Sequence, residues 1–491
     1  MSPTRSPSST PSTSSTASTA GTPSGGITQA TTIRAGAGPV APWAPQPLAG
    51  ALVLDLLEDL FKRLPAAKDL DQRLRAEAGV RFIDLVDAIT VKGSPGLSDR
   101  LRRAGFVLRP RRGADTCFSH PQGSFPDLIL VPEPGLHVAL AVESVADFCS
   151  CHAFAVAIEG DPGAPYRRAQ IMAGEHCALW IIERHGYDAY QVTALEPAYA
   201  QDCARVLERF RMRCRTFASE AAGFDHAEAL IAQAVTAVGT DMACELFFRA
   251  ERDYWQRRNR AGAIQKARQD ALGLGWANHD HHTYRSSRTC FQRLIQMFEL
   301  LGMVCRENFY PGSQAGWGAQ ILEQAVTGIV VFADVDMSAQ ELRQDFAHQG
   351  LPPNQALGTV GLWCALHGEA FLEAGMHHLE AQFAFADLTT QLHAAGVEMM
   401  PAFTDFPYLR QAFTVGERWT VRRERVMKLL AANLIDAHQA RTFLDQGVIG
   451  SHLENLERND GFKGFNQAGV DHIISQTDPR IASARTTRQS R

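Results

Sequence analysis

Asn278-His279-Asp280-His281-His282-Thr283-Tyr284-Arg285 is the stretch on which the reading of this chain turns. Alternation along a strand puts His281, Thr283 and Arg285 on one face and His282 and Tyr284 on the other. A neutral imidazole and a guanidinium facing one cleft suit a metal ion and an anionic ligand. The same residues on a solvated strand edge would carry no function, and the local pattern alone leaves both readings open. The residues downstream are regular. Phe291, Leu294, Ile295, Phe298 and Leu301 keep helical spacing from Cys290 to Leu301, and Gly302 stands where a helix-ending glycine belongs. Three strand-like runs come next, Met303 to Tyr310, Trp317 to Gln324 and Gly328 to Val335, joined by Pro311-Gly312-Ser313 and Val326-Thr327-Gly328. The order is strand, helix, three strands.

A second copy begins at His377-His378-Leu379-Glu380-Ala381-Gln382-Phe383, which alternates as a strand. Ala386 to Ala395 reads as a helix ending at Gly396, and Val397 to Phe403 as the outgoing strand. A charged helical insert over roughly residues 416–446 interrupts this copy, which resumes at Gly450-Ser451-His452-Leu453-Glu454 and runs on to Glu457-Arg458. The expected fold class is therefore α+β: tandem βαβββ modules with helical insertions, preceded by a separate N-terminal α/β domain.

Residues 1–46 are dominated by Ser, Thr, Pro, Gly and Ala, and are expected to be a disordered tail with neither a secretory nor a transit signal. From Leu48 to about Lys92 an apolar stripe has helical spacing. Short strand-like runs then cover Phe125 to Val131, Leu136 to Glu143, Ala178 to Ile182 and Tyr187 to Val192. These make an α/β domain over 47–235. Asp127, Glu143 and Arg167-Arg168 resemble a degenerate restriction-endonuclease-like core, but Val145 stands where its lysine is needed, so a structural or regulatory role is favoured over a nuclease. Cys149-Ser150-Cys151-His152 has no second CxxC and reads as buried small hydrophobes. Residues 476–491 are expected to be a second disordered tail.

With 45% hydrophobic residues a sizeable core is available, and a formal charge of −5 over 491 residues gives no case for nucleic-acid or membrane attraction. No apolar run approaches membrane-spanning length, and a cytoplasmic location is the default expectation. The oligomeric state is left open.

Residues 240–475 resemble the 2-oxoadipate dioxygenase/decarboxylase (hydroxyglutarate synthase) family of the vicinal-oxygen-chelate superfamily. The resemblance rests on Phe247-Phe248-Arg249 with Tyr254 and Arg257-Arg258-Asn259, on Asp280-His281-x-Thr283-Tyr284-Arg285, and on Leu453-Glu454-x-x-Glu457-Arg458 followed by Asp460-Gly461-Phe462. It implies Fe(II) held by His281, His378 and Glu454, with Arg285 binding a substrate carboxylate. His377 is the alternative to His378. It also implies a small-molecule 2-oxo acid and O2 as partners, and conversion of 2-oxoadipate to 2-hydroxyglutarate and carbon dioxide. The chain departs from the family at Gly312-Ser313-Gln314, where basic residues are usual, and at Met376-His377-His378-Leu379. Another metal-dependent enzyme of the same superfamily, or a metal-free binding or scaffold protein, are the alternatives.

Overall fold

The computed structural model describes residues 43–480, apart from positions 313, 314, 355 and 468. Most of the expected tails, residues 1–42 and 481–491, lie outside the described residues. Trp43, within the expected N-terminal tail, donates its indole N–H to Glu307, and the Gln46 amide donates to the Asp460 carbonyl. At the other end Asp478 accepts a hydrogen bond from Thr359.

The apolar stripe beginning at Leu48 divides. Pro65 starts a second helix directly after the first, giving Pro47–Arg63 and Pro65–Ala78, and Gly79 ends the second at φ 69°. A 3-10 turn follows at Phe82–Leu85, and the β-branched run after it is strand β1, Val86–Lys92. β2 (Val107–Leu108), β3 (Cys117–Ser119), β4 (Asp127–Val131), β5 (Leu136–Ala141), β6 (Tyr166–Gly174) and β7 (Cys177–Arg184) complete a seven-stranded mixed sheet in the order β2-β3-β4-β1-β5-β7-β6. The expected strand at Tyr187–Val192 is not formed. The Tyr190 hydroxyl donates to Asp127 and the Arg184 guanidinium lies 4.7 Å from the Tyr190 ring, so side chains rather than a ladder hold that segment.

The second sheet has nine strands. β8 (His279–Ser286), a helix at Phe291–Leu300, β9 (Val304–Phe309), β10 (Trp317–Glu323) and β11 (Val330–Asp336) make the first module, with β8 parallel to β11. β12 (His378–Gln382), a helix at Phe385–Ala394, β13 (Thr404–Phe406) and β14 (Leu409–Phe413) open the second. β15 (Glu417–Trp419) and helices Arg423–Ala431 and Ala437–Gln446 form the expected insert, and β16 (Val448–Arg458) closes the module beside β12. The path β13-β14-β16-β12-β8-β11-β10-β9, with β15 on β16, is two βαβββ modules sharing one sheet, the vicinal-oxygen-chelate arrangement.

One expected strand of the second module is reduced to fragments. Val397–Phe403 makes only an isolated bridge between Met399 and Thr414 and a few amide contacts, because Pro401 at its centre has no N–H to give to a ladder.

The modules meet where β8 and β12 pair antiparallel, with Thr283 opposite His378, His282 opposite Leu379 and His281 opposite Glu380. A two-fold axis through the His282–Leu379 pair exchanges His281 with His378 and Thr283 with Glu380. β11 places Val331 beside His282, and β16 places Leu453 beside Leu379. The same axis therefore exchanges Phe332 with Glu454.

The described residues belong to one compact unit. Its main hydrophobic core runs without a break from Ala49 to Ile474. Helices Glu220–Val238 and Thr240–Gln256, separated by Gly239 alone, both feed it: Phe224 stacks on Phe371, and Phe210 meets Phe247 edge to face. No helix among the described residues is long and apolar enough to cross a membrane.

Candidate metal centre

The inner faces of β8, β11, β12 and β16 surround a cavity with an empty volume of about 440 Å³, part of it open to solvent. His281, His378, Glu380 and Glu454 stand on its wall with Thr283, Asp334 and Gln411. Phe309, Trp317, Phe332, Phe403, Phe413 and Phe465 line the rest, with Val470 and Ile474 from the helix Val470–Thr477. All four histidine and glutamate side chains are buried.

His281 is held in one tautomer. Its Nδ1–H donates to Asp280 Oδ2 at 2.8 Å, and Asp280 is clamped by Arg458 Nε and Nη2 at 2.8 and 3.0 Å and by Gln382 at 3.0 Å. The lone pair is thereby confined to Nε2, which lies 3.7 Å from Glu380 Oε1. An imidazole whose outer nitrogen is tied to a carboxylate is the usual setting of a metal-bound histidine. The Arg458 guanidinium beside Asp280 keeps that carboxyl well below the usual carboxylate range despite its burial. Glu454 Oε1 accepts from Gln411 Nε2 at 2.8 Å, and Glu380 Oε1 from the Thr283 hydroxyl at 2.8 Å. Ligand atoms of His281, Glu380 and Glu454 lie within 4.8 Å of one another.

His378 Nδ1 is 3.3 Å from Glu380 Oε1, and its Nε2 has no hydrogen-bond partner among the described residues. Glu380 Oε2 has none either. Between the two adjacent histidines, His378 reaches the cavity wall, while His377 turns away and bonds the Gly450 carbonyl at 2.7 Å. Of the residues expected from the sequence, the structure therefore brings His281, His378 and Glu454 to one cavity.

These groups suit a divalent cation. Burial pushes Glu454 up to about 8, and burial with repulsion from Glu454 pushes Glu380 well above the carboxylate range. Burial also drives His378 well below the usual histidine value, and lowers His281. Neutral imidazoles offering lone pairs, beside carboxylates that cannot both ionise in a dry pocket alone, become compatible once a cation sits among them.

Arg285 lies elsewhere. It is fully buried but does not line the cavity: its Nε is 3.9 Å from Asp334 Oδ2, its guanidinium is 5.7 Å from the Trp363 ring, and Asp334 occupies the wall in its place. Arg285 Nε and Nη2 and Asp334 Oδ1 have no hydrogen-bond partner among the described residues. Burial pushes Asp334 up to about 7.

Sequence reasoning gave no ligand role to Glu380, although it shares the face of His378 by simple alternation. It missed Gln411 and Asp334, whose positions follow from the register of other strands. In the first sheet Asp127 is taken up by Ser119, Tyr190 and Arg111, and Glu143 by the Trp276 amide, Arg249 and Lys266. Neither joins a metal-ligating group among the described residues. Cys149 is a buried thiol pushed up by desolvation, and His152 stacks on Phe148 and bonds the Leu272 carbonyl.

No protein-family model matches the chain, and no curated protein is similar to it in sequence. Solved structures similar to parts of it include a putative hydrolase from Shewanella frigidimarina, at 14% identity over 45% of this chain and 96% of that one, with a TM-score of 0.31. A 4-hydroxymandelate synthase variant from Streptomyces coelicolor matches at 13% identity over 81% of this chain and 98% of its own, with a TM-score of 0.27. Methylmalonyl-CoA epimerase from Mycobacterium tuberculosis matches at 12% identity over 37% and 88%, with a TM-score of 0.21.

Proposed function

We propose that this protein is a non-haem Fe(II) oxygenase acting on a 2-oxo acid with O2, and that His281, His378 and Glu454 hold the metal. One observation carries the reading. Among the positions that the two-fold axis pairs on the strands around the cavity, His281 matches His378, Glu454 is matched by Phe332, and Glu380, matched by Thr283, stands beside them as a further carboxylate. Two imidazoles and one carboxylate, with an apolar ring in the fourth place, leave that side of a bound ion open. Ferrous iron held in this way supplies open positions for a chelating 2-oxo acid and for oxygen chemistry.

The protein's own residues do the rest. Asp280 and Arg458 keep the His281 Nδ1 proton on the outer nitrogen, so that Nε2 stays available. Gln411 orients Glu454, and the Thr283 hydroxyl orients Glu380. The aromatic walls and the helix Val470–Thr477 would shield the reacting group from part of the solvent.

The resemblance implies 2-oxoadipate as substrate, with one O2 consumed and 2-hydroxyglutarate and carbon dioxide formed. In that finer reading Arg285 takes the carboxylate remote from the keto group through its two uncommitted N–H groups, once Asp334 yields its place. A planar fork matches a carboxylate better than an ammonium would.

Anaerobic loading with Fe(II), followed by oxygen uptake with 2-oxoadipate and with pyruvate, tests both levels. Uptake with any 2-oxo acid supports the oxygenase, and a strong preference for 2-oxoadipate supports Arg285 as the carboxylate partner. Iron binding without uptake would favour another metal-dependent reaction of this fold. No iron binding would leave a metal-free binding or scaffold protein.

A further inference from the structure

Directly beside the proposed iron centre, His377, His378 and His452 form a second group of donors. All three are buried, and a ring nitrogen of each lies within 4.8 Å of those of the other two. The rings pack closely: His377 and His378 centroids are 4.0 Å apart, His378 and His452 5.0 Å, His377 and His452 5.5 Å. The outer nitrogens are committed to acceptors. His377 Nδ1–H donates to the Gly450 carbonyl at 2.7 Å and His452 Nδ1–H to the Thr414 carbonyl at 2.7 Å, while His378 Nδ1 faces the Glu380 carboxylate at 3.3 Å. The tautomers of His377 and His452 therefore leave their lone pairs on Nε2, and the Nε2 atoms of all three rings lack a hydrogen-bond partner among the described residues.

No hydrogen-bond donor reaches these three nitrogens among the described residues, although the Arg285 guanidinium, with two unpaired N–H groups of its own, is a charged neighbour of all three rings. Phe413 packs on His378 and His452, and Trp363, which packs on His377, gives its indole N–H to Gly450. Three buried lone pairs gathered without a donor are costly unless a cation sits among them. An outer nitrogen tied to an oxygen acceptor, with the inner one free, is also the arrangement that prepares a histidine for a metal.

We propose that His377, His378 and His452 bind a borderline transition-metal ion such as Zn²⁺, and that this ion competes with iron for His378. Three imidazoles are a known Zn²⁺ set, and tetrahedral ligands at roughly 2.0–2.1 Å require the rings to close by an ångström or so. A neutral His378 has one lone pair, so it serves either the iron centre with His281 and Glu454 or the three-histidine site. Zinc at the second site thus removes one iron ligand without entering the cavity. The competition rests on the iron-centre reading, whereas the zinc site stands on its own geometry.

The test uses the full chain freed of metal, with Zn²⁺ as probe, equilibrium dialysis and elemental analysis. Zinc affinity should fall at least tenfold in His452→Ala and His377→Ala and stay unchanged in His281→Ala. Zinc added anaerobically to the Fe(II)-loaded chain should lower iron occupancy, and His452→Ala should abolish that loss while binding iron as the parent does. Should the alanine variants not fold, His452→Gln and the absorption of Co²⁺ bound to the parent chain and to that variant give the same comparison. Zinc affinity indifferent to His377 and His452 would overturn the site. Zinc binding that depends on them but leaves iron in place would overturn the sharing of His378 alone. Failure of iron to bind at all would count against the oxygenase reading and leave the zinc result to stand or fall separately.

Discussion

A carboxylate behind an imidazole decides which nitrogen faces the cavity, and Asp280 does this for His281 with Arg458 behind it. Such partners tune metal affinity without touching the ion, so Asp280→Asn should weaken Fe(II) binding by about 10–100-fold, read by dialysis, with little change in the circular dichroism spectrum. An unchanged iron affinity would show that His281 does not bind through Nε2. Glu454 makes a pH prediction. Burial raises it from the ordinary 4.5 to about 8 in the metal-free protein, so the folded state holds a proton that the unfolded chain releases earlier. The stabilisation is then complete below about pH 4.5 and is lost as pH rises through about 8. The melting temperature of the metal-free chain should fall over that window, and less so in Glu454→Gln. Iron affinity should rise over the same window, because the metal displaces that proton. A flat melting profile would show that Glu454 is ionised without metal.

At the scale of elements, β16 carries much of the site, since His452 and Glu454 lie two apart on its inner face and the Gly450 carbonyl receives both His377 and Trp363. A Cβ at Gly450 would come within 1.9 Å of the Trp419 ring, which is itself fixed by an indole hydrogen bond to the Arg258 carbonyl. Gly450→Ala should cost about 1–3 kcal/mol of stability through overpacking, measured by denaturant unfolding, and a neutral result would mean the ring can move. The first module was legible in the sequence because its helix has a strict apolar period, a terminal glycine and three well-spaced strands after it. The second was legible only in its first strand, helix and β16. Pro401 broke the ladder where Val397–Phe403 had strand composition, and β1 was hidden because Phe82, Leu85 and Val86 happen to keep helical spacing. His281 and Glu454 stand in motifs, and the cavity-facing choice of His378 over His377 follows from alternation along its strand. Asp334 could not, because it meets Arg285 only through the parallel register of β8 and β11.

For the whole molecule, the division expected near residues 235–240 cuts through a shared core. Phe210 and Phe224 reach Phe247 and Phe371 across it, and Glu143, at the end of β5, bonds the Trp276 amide just before β8. Residues 240–480 expressed alone should therefore aggregate or melt without cooperativity, because they expose an apolar helix face that the first half covers. A soluble fragment with a sharp melt and normal iron binding would show that the first half is dispensable. The axis through His282 and Leu379 has a consequence of another kind. It makes the site a duplicated socket with one plug left blank, and the blank is Phe332. A single substitution, Phe332→His, would put a fourth donor at the remaining position of that set and, in the proposed iron reading, leave fewer places for substrate and oxygen. If His281, His378 and Glu454 hold iron as proposed, that variant should bind Fe(II) more tightly in dialysis and turn over more slowly, and unchanged affinity would show that position 332 does not face the ion.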